Sequence, residues 1–150
     1  MSTDLKHVYK LMIEAPPEKV WEALTNSEYT TRFWYGSAIS SEWTSGSDYK
    51  ITTADGSRVF IHGKVLEADR PRRLVQTYNT TWPPFDTEKE TTMTWELEPR
   101  DGGTQLTLTH EGFQDDSKLY ETLAQGWTDI LNGLKAILET GRPAAAPAAQ

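Results

Sequence analysis

Polar and apolar positions alternate with a period of two near the start of the chain. Between His7 and Ala15, Tyr9, Leu11 and Ile13 fall on one face and Lys10, Met12 and Glu14 on the other, which predicts a strand. Pro16 and Pro17 end it. Pro17 suits the first turn of a helix, where a missing N–H costs nothing, and Val20, Trp21 and Leu24 then share one face of a short helix. Asn26 or Ser27 caps a second short helical turn through Glu28 to Trp34, and Gly36 releases the chain from it.

From Ser37 to Gly112 the period of two returns in six short runs separated by turn residues: Gly46, Asp55-Gly56, Arg70-Pro71 and Asp101-Gly102-Gly103. This predicts an antiparallel meander rather than alternating strands and helices. Alternation is sharpest in the last two runs. Met93, Trp95 and Leu97 oppose Thr94, Glu96 and Glu98, while Leu106, Leu108 and His110 oppose Thr107, Thr109 and Glu111, so one sheet face is wet. Parity fails at one place. Phe60 and His62 share a face with Lys64, which requires either an exposed ring or a bulge.

The period then lengthens to that of a helix. Leu119, Tyr120, Leu123, Trp127, Ile130, Leu131, Leu134, Ile137 and Leu138 form one stripe, preceded by Asp115, Asp116 and Ser117 as N-caps. Gly126 and Gly133 interrupt this stripe at about 1 kcal/mol each relative to Ala, so a close approach to the sheet or to a ligand should compensate. The pattern stops at Gly141-Arg142-Pro143, which sets one domain at 1–141 and a disordered Ala/Pro tail at 142–150.

A chain of 150 residues buries about 70% of its unfolded surface and needs no metal or disulfide to hold together. It has no cysteine, which removes disulfides and thiolate nucleophiles. With no signal-peptide pattern and no run of about 20 apolar residues, the expectation is a cytoplasmic protein that does not insert into membranes. Fifteen basic against 22 acidic side chains leave a net charge of −7, which repels phosphate backbones and argues against nucleic acid as a partner. Six Trp, six Tyr and four Phe are enough large rings either to fill a core or to line a pocket.

Motif chemistry is sparse. His7, His62 and His110 lack the spacing of a helical metal site, and there is no nucleophile elbow, phosphate loop or dinucleotide fingerprint, so neither metal nor cofactor is expected. Glu42, Glu67 and Glu111 are scattered and read as solvated, as do Arg70, Arg72 and Arg73 in their turn. His110 shares a face with Leu106 and Leu108, as either a satisfied core histidine or an acid–base group. Gln76, in parity with Leu74 and Tyr78, poses the same choice. The segment from Thr81 to Glu88 carries Trp82-Pro83-Pro84-Phe85, a proline-stiffened lid or plug.

The order strand, two short helices, six strands and long helix describes an α+β domain whose last helix covers the sheet. It resembles the helix-grip fold of the START-like superfamily, also called Bet v 1-like or SRPBCC. Within it, the chain is similar to single-domain bacterial homologues of the activator of the heat-shock-protein-ninety ATPase. The resemblance is carried by Ile13-Glu14-Ala15-Pro16-Pro17-Glu18-Lys19-Val20-Trp21-Glu22-Ala23-Leu24-Thr25 and by Gly63-Lys64-Val65-Leu66-Glu67-Ala68-Asp69-Arg70-Pro71-Arg72-Arg73-Leu74-Val75. It continues in Trp95-Glu96-Leu97, Leu106-Thr107-Leu108-Thr109-His110-Glu111-Gly112-Phe113 and Gly126-Trp127 leading to Leu134 and Leu138.

The resemblance implies a curved seven-stranded antiparallel sheet gripping the long C-terminal helix, with a cavity between them. Strand parity and the helix stripe place Tyr49, Ile51, Ile61, Gln76, Tyr78, Trp95, His110 and Trp127 inward, with Trp34, Trp43, Trp82, Phe85 and Phe113 nearer its mouth. Core packing and ligand contact are both open to these side chains. Three functions follow as expectations: binding of a small apolar or lipid-like molecule, action on a chaperone partner, and a cavity enzyme using His110. The chain would be a monomer or a homodimer.

Overall fold

Alternation along β1 (Lys6–Ile13) becomes strand in the computed structural model, which describes residues 5–34, 36–81, 85–114 and 117–140. The strand starts one residue earlier than its pattern suggests and ends two earlier, where the chain turns at Glu14 and Ala15 and the Ala15 N–H donates to the Ile13 carbonyl. Pro17 opens α1 (Pro17–Thr25), whose Val20, Trp21, Ala23 and Leu24 are buried. The Asn26 side chain caps α2 (Ser27–Phe33) by accepting the Glu28 N–H at 2.8 Å.

Six further strands follow: β2 (Ala38–Ser41), β3 (Asp48–Thr52), β4 (Val59–Asp69), β5 (Arg73–Thr80), β6 (Thr91–Arg100) and β7 (Gly103–Glu111). A short turn of 3-10 helix, Phe85–Thr87, lies between β5 and β6. The sheet is antiparallel throughout, in the order β1-β7-β6-β5-β4-β3-β2, so β1 closes back on β7 while β2 forms the opposite edge. The two short helices therefore bridge from one edge strand to the other across the apolar face. The long helix α3 (Lys118–Thr140) packs on that same face against β1 and α2.

The parity conflict in β4 is resolved by a bulge. Ile51 pairs with Ile61 but Thr52 pairs with Val59, leaving Phe60 as the extra residue. Its carbonyl is not wasted, since it accepts the Thr81 N–H at 3.1 Å. A second shift between Val65 and Glu67 leaves Leu66 outside the regular pairing and half exposed.

The core joins the inward residues of the sheet to the stripe of α3, with Leu119, Leu123, Trp127, Ile130, Leu131, Leu134 and Ile137 all buried. Gly133 sits where a Cβ would meet Phe33 of α2 at 3.1 Å, so the close approach is to a helix rather than to the sheet. Of the expected N-caps of α3, Ser117 acts by accepting the Tyr120 N–H at 2.9 Å, while Asp115 and Asp116 lie outside the described residues. A cap with no local sequence signal comes from Glu88, whose carboxylate accepts the Ser117 hydroxyl and the N–H groups of Lys118 and Leu119. The tail expected at 142–150 also lies outside the described residues. Among the described residues no helix is long and apolar enough to cross a membrane.

Candidate functional site

The inward faces of β4 and β5 meet α3 across a pocket of about 520 Å³. Phe60 and Ile61 wall it from β4, Tyr78 from β5, Trp34 from the end of α2, and Leu123, Gly126, Trp127 and Ile130 from α3. Thr122, Gln125 and Asp129 form its polar rim, where the Gln125 amide donates to Asp129 at 3.0 Å. Of the side chains expected at a cavity, the pocket brings together Trp34, Ile61, Tyr78 and Trp127. Trp34 is only 4% exposed and belongs to the pocket wall rather than to its mouth.

A layer of buried aromatic and polar groups stands behind that wall. Trp127 is its hub, edge-on to Trp34 at 5.5 Å and to Trp95 and His110 at 5.7 Å each. The Trp127 indole N–H donates to His110 Nδ1 at 3.0 Å. An indole nitrogen can only donate, so Nδ1 is unprotonated and the ring proton sits on Nε2, 2.7 Å from the Thr91 hydroxyl oxygen. The Thr91 hydroxyl in turn reaches the Tyr78 carbonyl at 3.4 Å. Burial and the proximity of His7 push the His110 pKa down to about 3, so at neutral pH the ring is uncharged. Both ring nitrogens are engaged within the protein, and His110 does not line the pocket.

Gln76 and Tyr49 belong to the same hidden layer. The Gln76 side-chain carbonyl accepts the Trp95 indole N–H at 3.1 Å, and its Nε2 is buried without a hydrogen-bond partner among the described residues. The Tyr49 hydroxyl donates to the Thr77 carbonyl at 2.5 Å, and burial holds the pKa of both Tyr49 and Tyr78 above the ordinary tyrosine value. Phe113 is buried among His7, His110 and Tyr120, where it closes the gap between β7 and the start of α3. Phe85 packs against the core from the 3-10 turn, its carbonyl accepting the Thr80 hydroxyl.

Trp43 does not join the pocket. It lines a separate polar groove with Glu22, Asn26 and Arg70, and its backbone adopts a positive φ of 57°. Trp82, with Pro83 and Pro84, lies outside the described residues. Glu42 and Glu111 are exposed. Arg70, Arg72 and Arg73 pair with Glu18, Asp69, Glu67 and Glu96, as expected of a solvated turn.

Sequence reading left Phe60, Leu123 and Ile130 out of the cavity. The two helical residues stood in the apolar stripe, which does not distinguish a helix face against core from one against a pocket. Phe60 stood at the parity break, which was the available signal.

Comparisons with known proteins fit this geometry. A Mesorhizobium loti protein superposes with a TM-score of 0.76 and 27% identity, over 89% of this chain and 96% of that one. The Aha1 dimer from Colwellia psychrerythraea gives 0.73 at 22% identity, covering 91% and 97%. An HSP90 activator from Plasmodium falciparum gives 0.72 at 22% identity, covering 89% and 96%. No curated protein matches the sequence. Residues 14–139 match the family described as activator of Hsp90 ATPase homolog 1-like protein. That segment runs from the end of β1 to the last turn of α3, and the chain belongs to this family.

Proposed function

We propose that this protein binds a small, largely apolar molecule between α3 and the β4–β5 hairpin, as a carrier or sensor rather than as an enzyme. The observation that carries this reading is the pocket itself: about 520 Å³, walled by four aromatic and three aliphatic side chains, in the size range of ligand sites. The closed hydrogen-bond chain around His110 supports the non-catalytic half of the reading, because it commits the imidazole that touches the Trp127 wall to the protein's own groups.

Native mass spectrometry after incubation with lysate of the host tests it. A defined added mass below about 1 kDa that vanishes on denaturation is expected, in line with the size of such pockets. A clean apo spectrum, together with no shift in melting temperature across a panel of apolar compounds, overturns it.

The family match favours a second reading, action on an Hsp90 ATPase. Titrating this protein into a purified chaperone decides that case: a rise in ATP turnover supports it, and a flat titration removes it.

A further inference from the structure

The pocket is apolar, yet two hydrogen-bonding atoms of β5 beside it have no partner among the described residues. Tyr78 lines the pocket, and its hydroxyl makes no hydrogen bond among the described residues. Two residues along the strand, on the same inward face, Gln76 is 2% exposed and presents an amide Nε2 with no partner. The rest of this layer is saturated. Trp95 donates to Gln76, Trp127 donates to His110, and Tyr49 donates to the Thr77 carbonyl. An amide Nε2 is a donor only, and a buried phenol offers its proton more readily than its lone pairs, so what the site lacks is an acceptor. A buried donor left unmatched is costly, and an occupant that supplies the missing oxygen recovers that cost.

Charge narrows the class further. Among the described lining residues none is cationic, and the one carboxylate, Asp129, stands at the rim on the exposed face of α3. A carboxylate or phosphate entering the pocket would shed its water with no counter-charge to meet it, and a cation would likewise be buried away from Asp129. Flat apolar surface is offered by Trp34, Phe60 and Trp127, which suits rings.

We infer that the pocket takes an uncharged, ring-bearing ligand whose carbonyl or ether oxygen accepts from the Tyr78 hydroxyl. This rests on the ligand-binding reading above and adds the ligand's polar signature to it.

The test uses three probes of nearly one shape: 2-acetylnaphthalene, 2-isopropenylnaphthalene and 2-naphthoate, each measured by equilibrium dialysis against the whole protein. The ketone should bind about tenfold more tightly than the hydrocarbon, the worth of one net hydrogen bond, with the carboxylate weakest. In Tyr78→Phe the ketone-to-hydrocarbon ratio should fall towards one. Equal binding of ketone and hydrocarbon to the unaltered protein overturns the inference while leaving the pocket reading intact. So does tightest binding of the carboxylate, or a ratio that survives Tyr78→Phe. Retention of none of the three probes removes the pocket reading and this inference with it.

Discussion

His110 illustrates how a residue that looks catalytic in a sequence acquires a different role from its neighbours. Its ordinary pKa is near 6.5 and its folded value about 3, so as pH falls the unfolded chain takes up the proton first. Stability is therefore fully present above about pH 6.5 and declines as pH falls from there towards 3. The melting temperature should drop more steeply between about pH 6 and pH 4 in the unaltered protein than in His110→Gln, whose amide can meet both Trp127 and Thr91 without taking up a proton. Parallel pH profiles would show that another group dominates acid unfolding. Gly63 is a second residue whose identity is dictated by distance. A Cβ there would lie 2.3 Å from the Thr77 carbonyl oxygen and 2.6 Å from its hydroxyl oxygen, the same threonine that accepts from Tyr49 and from the Lys64 N–H. Gly63→Ala should lower unfolding free energy by at least about 2 kcal/mol in a urea titration, the scale of overpacking in a rigid interior.

At the scale of elements, much of the architecture was legible because period and burial coincide. Tyr49, Ile51, Ile61, Tyr78, Trp95 and His110 all follow strand parity, and all are buried. What was not legible depends on partners distant in the chain. Glu88 caps α3 from a segment 29 to 31 residues away, and no local pattern marks such a pairing. Glu88→Ala should cost about 1–2 kcal/mol through the orphaned N–H groups of α3. Paired with Ser117→Ala, it should show a non-additive cycle, because the two side chains are hydrogen-bonded to each other. Strict additivity would mean that the cap works through Lys118 and Leu119 alone. Trp43 was misplaced for a related reason: a positive φ re-aims its side chain, and parity arguments assume extended backbone on both sides.

At the scale of the molecule, the described strands and helices share one core, and a pocket opens into it where α3 passes the β4–β5 hairpin. A ligand held there binds only the folded chain, so at one hundred times its dissociation constant it should raise unfolding free energy by about 2.7 kcal/mol. A compound that binds by dialysis but leaves thermal unfolding unmoved would have to bind the unfolded chain equally well. The same region contains the bulge of β4. Because Thr52 pairs with Val59 and Ile51 with Ile61, removing Phe60 alone would take this bulge out of the β3–β4 pairing and leave the second shift, at Leu66, in place. In genetic terms, one in-frame codon supplies the bulged ring that β4 adds to the pocket wall. A lineage could gain or lose that ring in a single insertion or deletion, with the β4–β5 pairing at Thr81 adjusting alongside.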